Sequence, residues 1–154
     1  MQELEEAKTD QQKRLEARQR VKNAIKDLNA AAKNAGVLNY GLFHDAGYRG
    51  LYEMGLTDIK KKKGLSPKED LLDRAGRMEL AANEFRITLT EEKIKNENIK
   101  LEKQAINAHH YVGQEVRKTI KIAGGTVPEQ LPIEPSIRKL TRQKKKELKE
   151  LPEK

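Results

Sequence analysis

The chain has no cysteine and no tryptophan, two phenylalanines and only five prolines among its 154 residues. Without cysteine there is no disulfide, no thiol nucleophile and no cysteine-ligated zinc, which fits a reducing compartment. With so few aromatics the core must be built from Leu, Ile, Val and Ala. That supply is thin, because charged side chains match apolar ones at 36% each. No run approaches the roughly 20 apolar residues needed to cross a bilayer, and the N-terminus does not read as a signal peptide. Neither Gly-x-x-x-x-Gly-Lys-Ser/Thr nor His-Glu-x-x-His occurs, so the phosphate loop and the zinc-peptidase helix have no footing here.

What is present is helical periodicity. In the stretch from Leu71 to Leu89 the apolar residues fall at 71, 72, 75, 78, 82, 85 and 89. Steps of three and four place them on one helix face. This stretch is expected to be the centre of the fold, with Met78 and Phe85 as its bulk. Asp73, Arg74, Arg77, Glu79, Glu84 and Arg86 then fall mostly on the solvated side. Ahead of it, residues 2–34 read as one helix with a docking stripe of Val21, Ile25, Leu28 and Ala32, closed by Gly36. Residues 1–20 are polar on nearly every side and read as a charged connector to something outside the domain.

Glycines at 41, 47, 50, 55 and 64 suggest turns and close backbone approach, hence a glycine-rich loop knot around Phe43, Tyr48, Leu51 and Tyr52. Thr57 can cap a short helix ending before Gly64. Ser66-Pro67-Lys68-Glu69 reads as a capping box, with a break at Gly76 and a new helix from about Met78. A further stripe, Leu101, Ala105, Ala108, Val112, Val116, Ile120 and Ala123, is expected to lie on the central helix. Three prolines between Thr126 and Pro135 make an extended strap pinned by Val127, Leu131 and Ile133. Ser136 can cap a last basic helix. The fold expected is all-α, a small bundle with a core over 21–135, a partly projecting N-terminal helix and a basic tail over 136–154.

Four phrases, HDAGYRGLY, LLDRAGRMELAANEFR followed by TEEK, H-x-VGQEVR-x-TI and GGTVPEQLP-x-x-x-SI, stand together from about Leu15 to Leu140. In this order they resemble the C-terminal region of the DNA damage-inducible protein D family of the bacterial DNA-damage (SOS) response. The resemblance implies a longer protein with a BRO-N-like DNA-binding domain ahead of this region. It also implies a role in DNA repair and recombination through RecA-type recombinase filaments, and a cytoplasmic, nucleoid-associated location.

The residues leave each chemical candidate a plainer reading. His44-Asp45 could be an acid–base pair, but neighbours in sequence point apart, and capping a turn before Gly47 suits them. His109 and His110 lie about 100° apart on a helix and cannot share a metal. His109 is read as structural, bonded across to the Gly41–Gly50 segment. Lys60, Lys61, Lys62 and Lys63 suit a helix C-terminus and equally a phosphate. Lys144, Lys145 and Lys146 suit DNA contact or solubility, and Arg49 joins them as a nucleic-acid candidate. Tyr48 and Tyr52 suit the core before base stacking. Catalysis is the weakest class, with no cofactor and no small-molecule substrate expected. A non-catalytic interaction module is the first reading, with basic-flank nucleic-acid binding and homodimer formation as alternatives.

Overall fold

The computed structural model describes residues 9–151, and among them all regular structure is helical. Six α-helices follow in order: α1 (Asp10–Asn34), α2 (Tyr40–Tyr52), α3 (Leu56–Lys62), α4 (Arg77–Asn96), α5 (Glu102–Ile122) and α6 (Ile137–Glu150). Short 3₁₀ turns occupy Leu71–Asp73 and Pro128–Gln130. The all-α expectation holds.

Helix α1 starts at a reciprocal cap: the Thr9 hydroxyl accepts from Gln12 N, and the Gln12 side chain accepts from Thr9 N. It runs alongside α4 in the same direction, since Asp10 meets Arg77, Arg20 meets Glu84, and Ala31 lies beside Ile94. The α2 and α5 pair is also parallel, with Phe43 on His109 and Leu51 on Arg117. The two reversals that join these helices are built alike. Gly36 and Asn98 take left-handed backbone, and Val37 N and Ile99 N reach back to Ala32 O and Ile94 O.

Residues 40–52 form a helix where a loop was expected. The glycines serve helix contact instead of turns. A Cβ on Gly47 would overlap the His109 ring, one on Gly50 would strike His110 O, and one on Gly113 would strike Gly47 O. Bare backbone on both sides lets α2 and α5 touch, and α2 covers more of α5 than α4 does. Helix α5 does lie against the central helix, as its stripe suggests, but α2 is its larger partner. Its buried stripe is Ala105, Ala108, Val112, Val116 and Ile120, while Leu101 and Ala123 lie outside.

The central helix begins where expected, with Gly76 as its N-cap, but faces the core differently. Met78 is 48% and Phe85 53% exposed, whereas Glu79, Asn83, Arg86 and Thr90 are buried. These four are spaced i, i+4, i+7 and i+11, a helical stripe of polar residues flanked by Leu80, Ala82, Ile87 and Ile94. The inward face is therefore turned by about 100°, one residue's rotation, from the apolar stripe. The preceding Ser66–Glu69 segment closes on itself through Ser66 N to Glu69 Oε2 without starting an α-helix. Asp70 caps only the 3₁₀ turn that buries Leu71 and Leu72.

Part of the connector proposed over residues 1–20 lies outside the described residues. From Arg14 onward that stretch is docked. Arg14 donates to the carbonyls of Asp73, Ala75 and Pro135, and Arg18 binds Asp70. The strap is likewise held by cations at its carbonyls more than by apolar side chains. Arg74 Nε donates to Glu134 O, and Lys63 Nζ to Leu131 O. Ile133 stays exposed and Pro128 is the buried residue of the segment. Ser136 caps α6 as expected, through Lys139 N.

Candidate functional site

The inner stripe of α4 starts a chain of hydrogen bonds through the middle of the domain. Lys63 Nζ donates to Glu79 Oε1 at 2.8 Å, and Tyr52 Oη donates to the other carboxylate oxygen. Asn83 Nδ2 donates to Tyr52 Oη at 3.0 Å, and Asn83 Oδ1 accepts from Arg86 NH2 at 2.8 Å. Arg86 NH1 donates to His109 Nε2, and His109 Nδ1–H donates to Phe43 O at 2.8 Å. The Arg86 guanidinium can only donate and the Phe43 carbonyl can only accept, which fixes His109 as a neutral ring protonated at Nδ1. The Arg86 guanidinium also lies 4.8 Å from the centre of the Tyr48 ring.

The electrostatics follow from burial. Desolvation, and then the Arg86 charge, hold His109 well below the ordinary histidine range, and the same pair brings His44 down to about 4. His44 Nε2 meets Asn29 Oδ1 at 2.6 Å. Burial pushes Glu79 above the usual carboxylate range against the pull of Lys63 and Tyr52. Both nitrogens of His109 and both oxygens of Glu79 are engaged inside. The chain thus offers neither a free general base nor an open ligand set, and its chemistry is cohesion. Among the described residues no group of three His, Asp or Glu is placed to hold a metal ion.

The residues singled out from sequence separate into two sets. Phe43, His44, Gly47, Tyr48, Gly50, Tyr52, His109 and Val112 meet around the α2–α5 contact, while Met78 and Phe85 lie on the outer face of α4. Asp45 caps α3 through Leu56 N at 2.9 Å and pairs with Arg49 at 2.7 Å, so its capping is of a later helix than supposed. The lysine run is divided. Lys63 has a side chain only 3% exposed and is committed to Glu79 and Leu131 O, so it leaves the set of phosphate candidates. Lys60 reaches Pro67 O, and Lys61 and Lys62 are exposed. Of Lys144, Lys145 and Lys146, it is Lys145 that lines the cleft between α1 and α6. Sequence reading missed Glu79, Asn83 and Arg86 as interior residues, and also Arg18, Lys22, Arg138 and Arg142, which share that cleft with Lys145.

Fold and interior together define an all-α domain knitted by a buried polar chain. Residues 8–140 match the family described as the DinD C-terminal domain, and the chain belongs to that family. It is also similar to DNA damage-inducible protein D of Escherichia coli (strain K12), with 44% identity over 128 residues. That match covers 80% of this chain and 46% of the relative, so the chain spans about half the relative's length. Among the described residues no helix is long and apolar enough to cross a membrane.

Proposed function

We propose that this domain is a non-catalytic interaction module of a DNA-damage response protein, acting in repair and recombination by binding a RecA-type recombinase filament. The observation that supports it is the outer face of α4. Met78, Ala81 and Phe85 are exposed at i, i+3 and i+7, while Leu89 is half-buried at the end of the same stripe. An apolar stripe facing solvent, beside a polar stripe turned inward, is the reverse of what folding alone selects. Such a stripe marks a contact surface. Family membership supports the DNA-damage context, and the recombinase filament is taken as the target from what the resemblance in sequence implies.

Co-sedimentation with a recombinase filament assembled on single-stranded DNA tests the proposal. The unaltered chain pellets with the filament, and Met78→Glu and Phe85→Glu each release it while keeping the helical circular-dichroism signal. A chain that stays in the supernatant, or variants that pellet as well as the parent, would overturn it.

A further inference from the structure

A cleft of about 300 Å³ opens between the N-terminal half of α1 and the start of α6. Arg18 and Lys22 stand on the α1 side; Arg138, Arg142 and Lys145 stand on the other, with Asp73 at the end. Asp73 is already engaged, accepting from Ser136 Oγ and from Arg138 N, so its charge is turned toward the α6 cap. Five cations therefore face one committed carboxylate.

Arg18 distinguishes this cleft from an ordinary solvated basic surface. Its side chain is only 9% exposed, and one terminal nitrogen binds Asp70 at 2.7 Å. The other, NH1, is buried without any hydrogen-bond partner. A buried guanidinium with an unanswered donor costs stability unless a ligand supplies the acceptor.

The spacing on α6 identifies the kind of ligand. Arg138, Arg142 and Lys145 are separated by four and three residues and form one helical row, about 10 Å long at 1.5 Å per residue. Arg18 and Lys22 repeat the four-residue step on the opposite wall. Two rows of cations call for a ligand with anionic groups repeated along its length. A nucleic-acid strand carries one phosphate per nucleotide and sets more than one of them along such a row. Guanidinium forks match phosphate oxygens two at a time.

We propose that the α1–α6 cleft holds a stretch of single-stranded nucleic-acid backbone, with Arg18 at its floor and Lys22, Arg138, Arg142 and Lys145 along its walls. The site is separate from the α4 stripe, so filament binding and strand binding stand or fall independently.

The test is fluorescence anisotropy of the full chain with a labelled 20-nucleotide single-stranded DNA in about 50 mM salt, repeated as salt is raised. Arg142→Glu/Lys145→Glu is expected to weaken binding at least tenfold. It should also lower the slope of log affinity against log salt by about 1.4, two phosphates' worth. Lys22→Glu, an exposed residue on the other wall, should weaken it several-fold even if the first variant fails to fold. Lys61→Glu/Lys62→Glu carries the same charge change elsewhere and should weaken binding less than twofold. Equal losses in the cleft and control variants would overturn the assignment, as would no binding at low salt. Cleft variants that lose the recombinase filament but keep DNA would reassign the cleft to an acidic protein surface and equally overturn it.

Discussion

Arg86 donates to the unprotonated nitrogen of His109, and both side chains are almost fully buried. A cation is thus kept inside the domain against a neutral imidazole, a Tyr48 ring face and the Asn83 amide, and among the described residues no carboxylate pairs with it. The arrangement holds only while the histidine stays neutral, since a protonated ring would set two positive donors against each other.

Arg86→Lys tests that relationship. A lysine ends in one nitrogen and lacks the two separated nitrogens, NH1 and NH2, with which Arg86 spans His109 and Asn83. One buried acceptor is left unanswered, at about 1–3 kcal/mol. The variant should unfold at lower urea concentration with an unchanged slope, and the parent chain's midpoint should not be matched under any salt condition.

Acid should loosen the domain in a defined window. His44 is depressed from 6.5 to about 4, so the unfolded chain binds more protons than the folded one between those values. Stability from this residue is full above pH 6.5 and is lost as pH falls to about 4, on the order of 3 kcal/mol. His109 acts in the same sense. Glu79, raised by burial, acts in the opposite sense and offsets part of the loss at the acid end. Urea melts between pH 7 and 4 should show the decline, and His44→Gln should flatten it.

The Lys63–Glu79 pair should be strongly non-additive. Lys63→Met leaves a buried carboxylate with only Tyr52 for company, and should cost about 3–5 kcal/mol. Lys63→Met/Glu79→Gln removes both charges and keeps an acceptor for Tyr52, so it should be less destabilised than the single variant. Thermal melts of the three chains decide it; equal losses for single and double variants would contradict a buried ion pair.

Glycines in α2 should respond in opposite ways. Gly50→Ala drives a methyl into the His110 carbonyl and should separate α2 from α5, lowering the melting temperature by many degrees. Gly41→Ala meets only Asn39 Oδ1 at 3.5 Å and gains helix propensity, for up to about 1 kcal/mol of added stability.

Helix α5, the Gly36 cap, the Gly76 start, the Ser136 cap and the His109 bond to the 41–50 segment were all legible in the sequence. Each rests on a local rule or a clean apolar stripe. Helix α2 was hidden because glycine at Gly41, Gly47 and Gly50 reads as a turn signal until the partner helix is known. The facing of α4 was hidden for a deeper reason. Hydrophobic periodicity assumes that the core is apolar, and here Glu79, Asn83 and Arg86 are buried in a hydrogen-bonded chain with Lys63, Tyr52 and His109 while Phe85 stays outside. The cation row Arg138–Arg142–Lys145 was visible as spacing, but its opposite wall, Arg18 and Lys22, lies more than 110 residues away and appears only in the fold.

The absence of cysteine makes the facing of α4 directly measurable, because any introduced thiol is the sole reporter. Phe85→Cys and Ala82→Cys, treated with a thiol reagent with and without a recombinase filament, test the central claim. The account predicts fast labelling at 85, slow labelling at 82, and protection of 85 when the filament is added. Slow labelling at 85 in the free chain, or an unchanged rate in the presence of the filament, would contradict it.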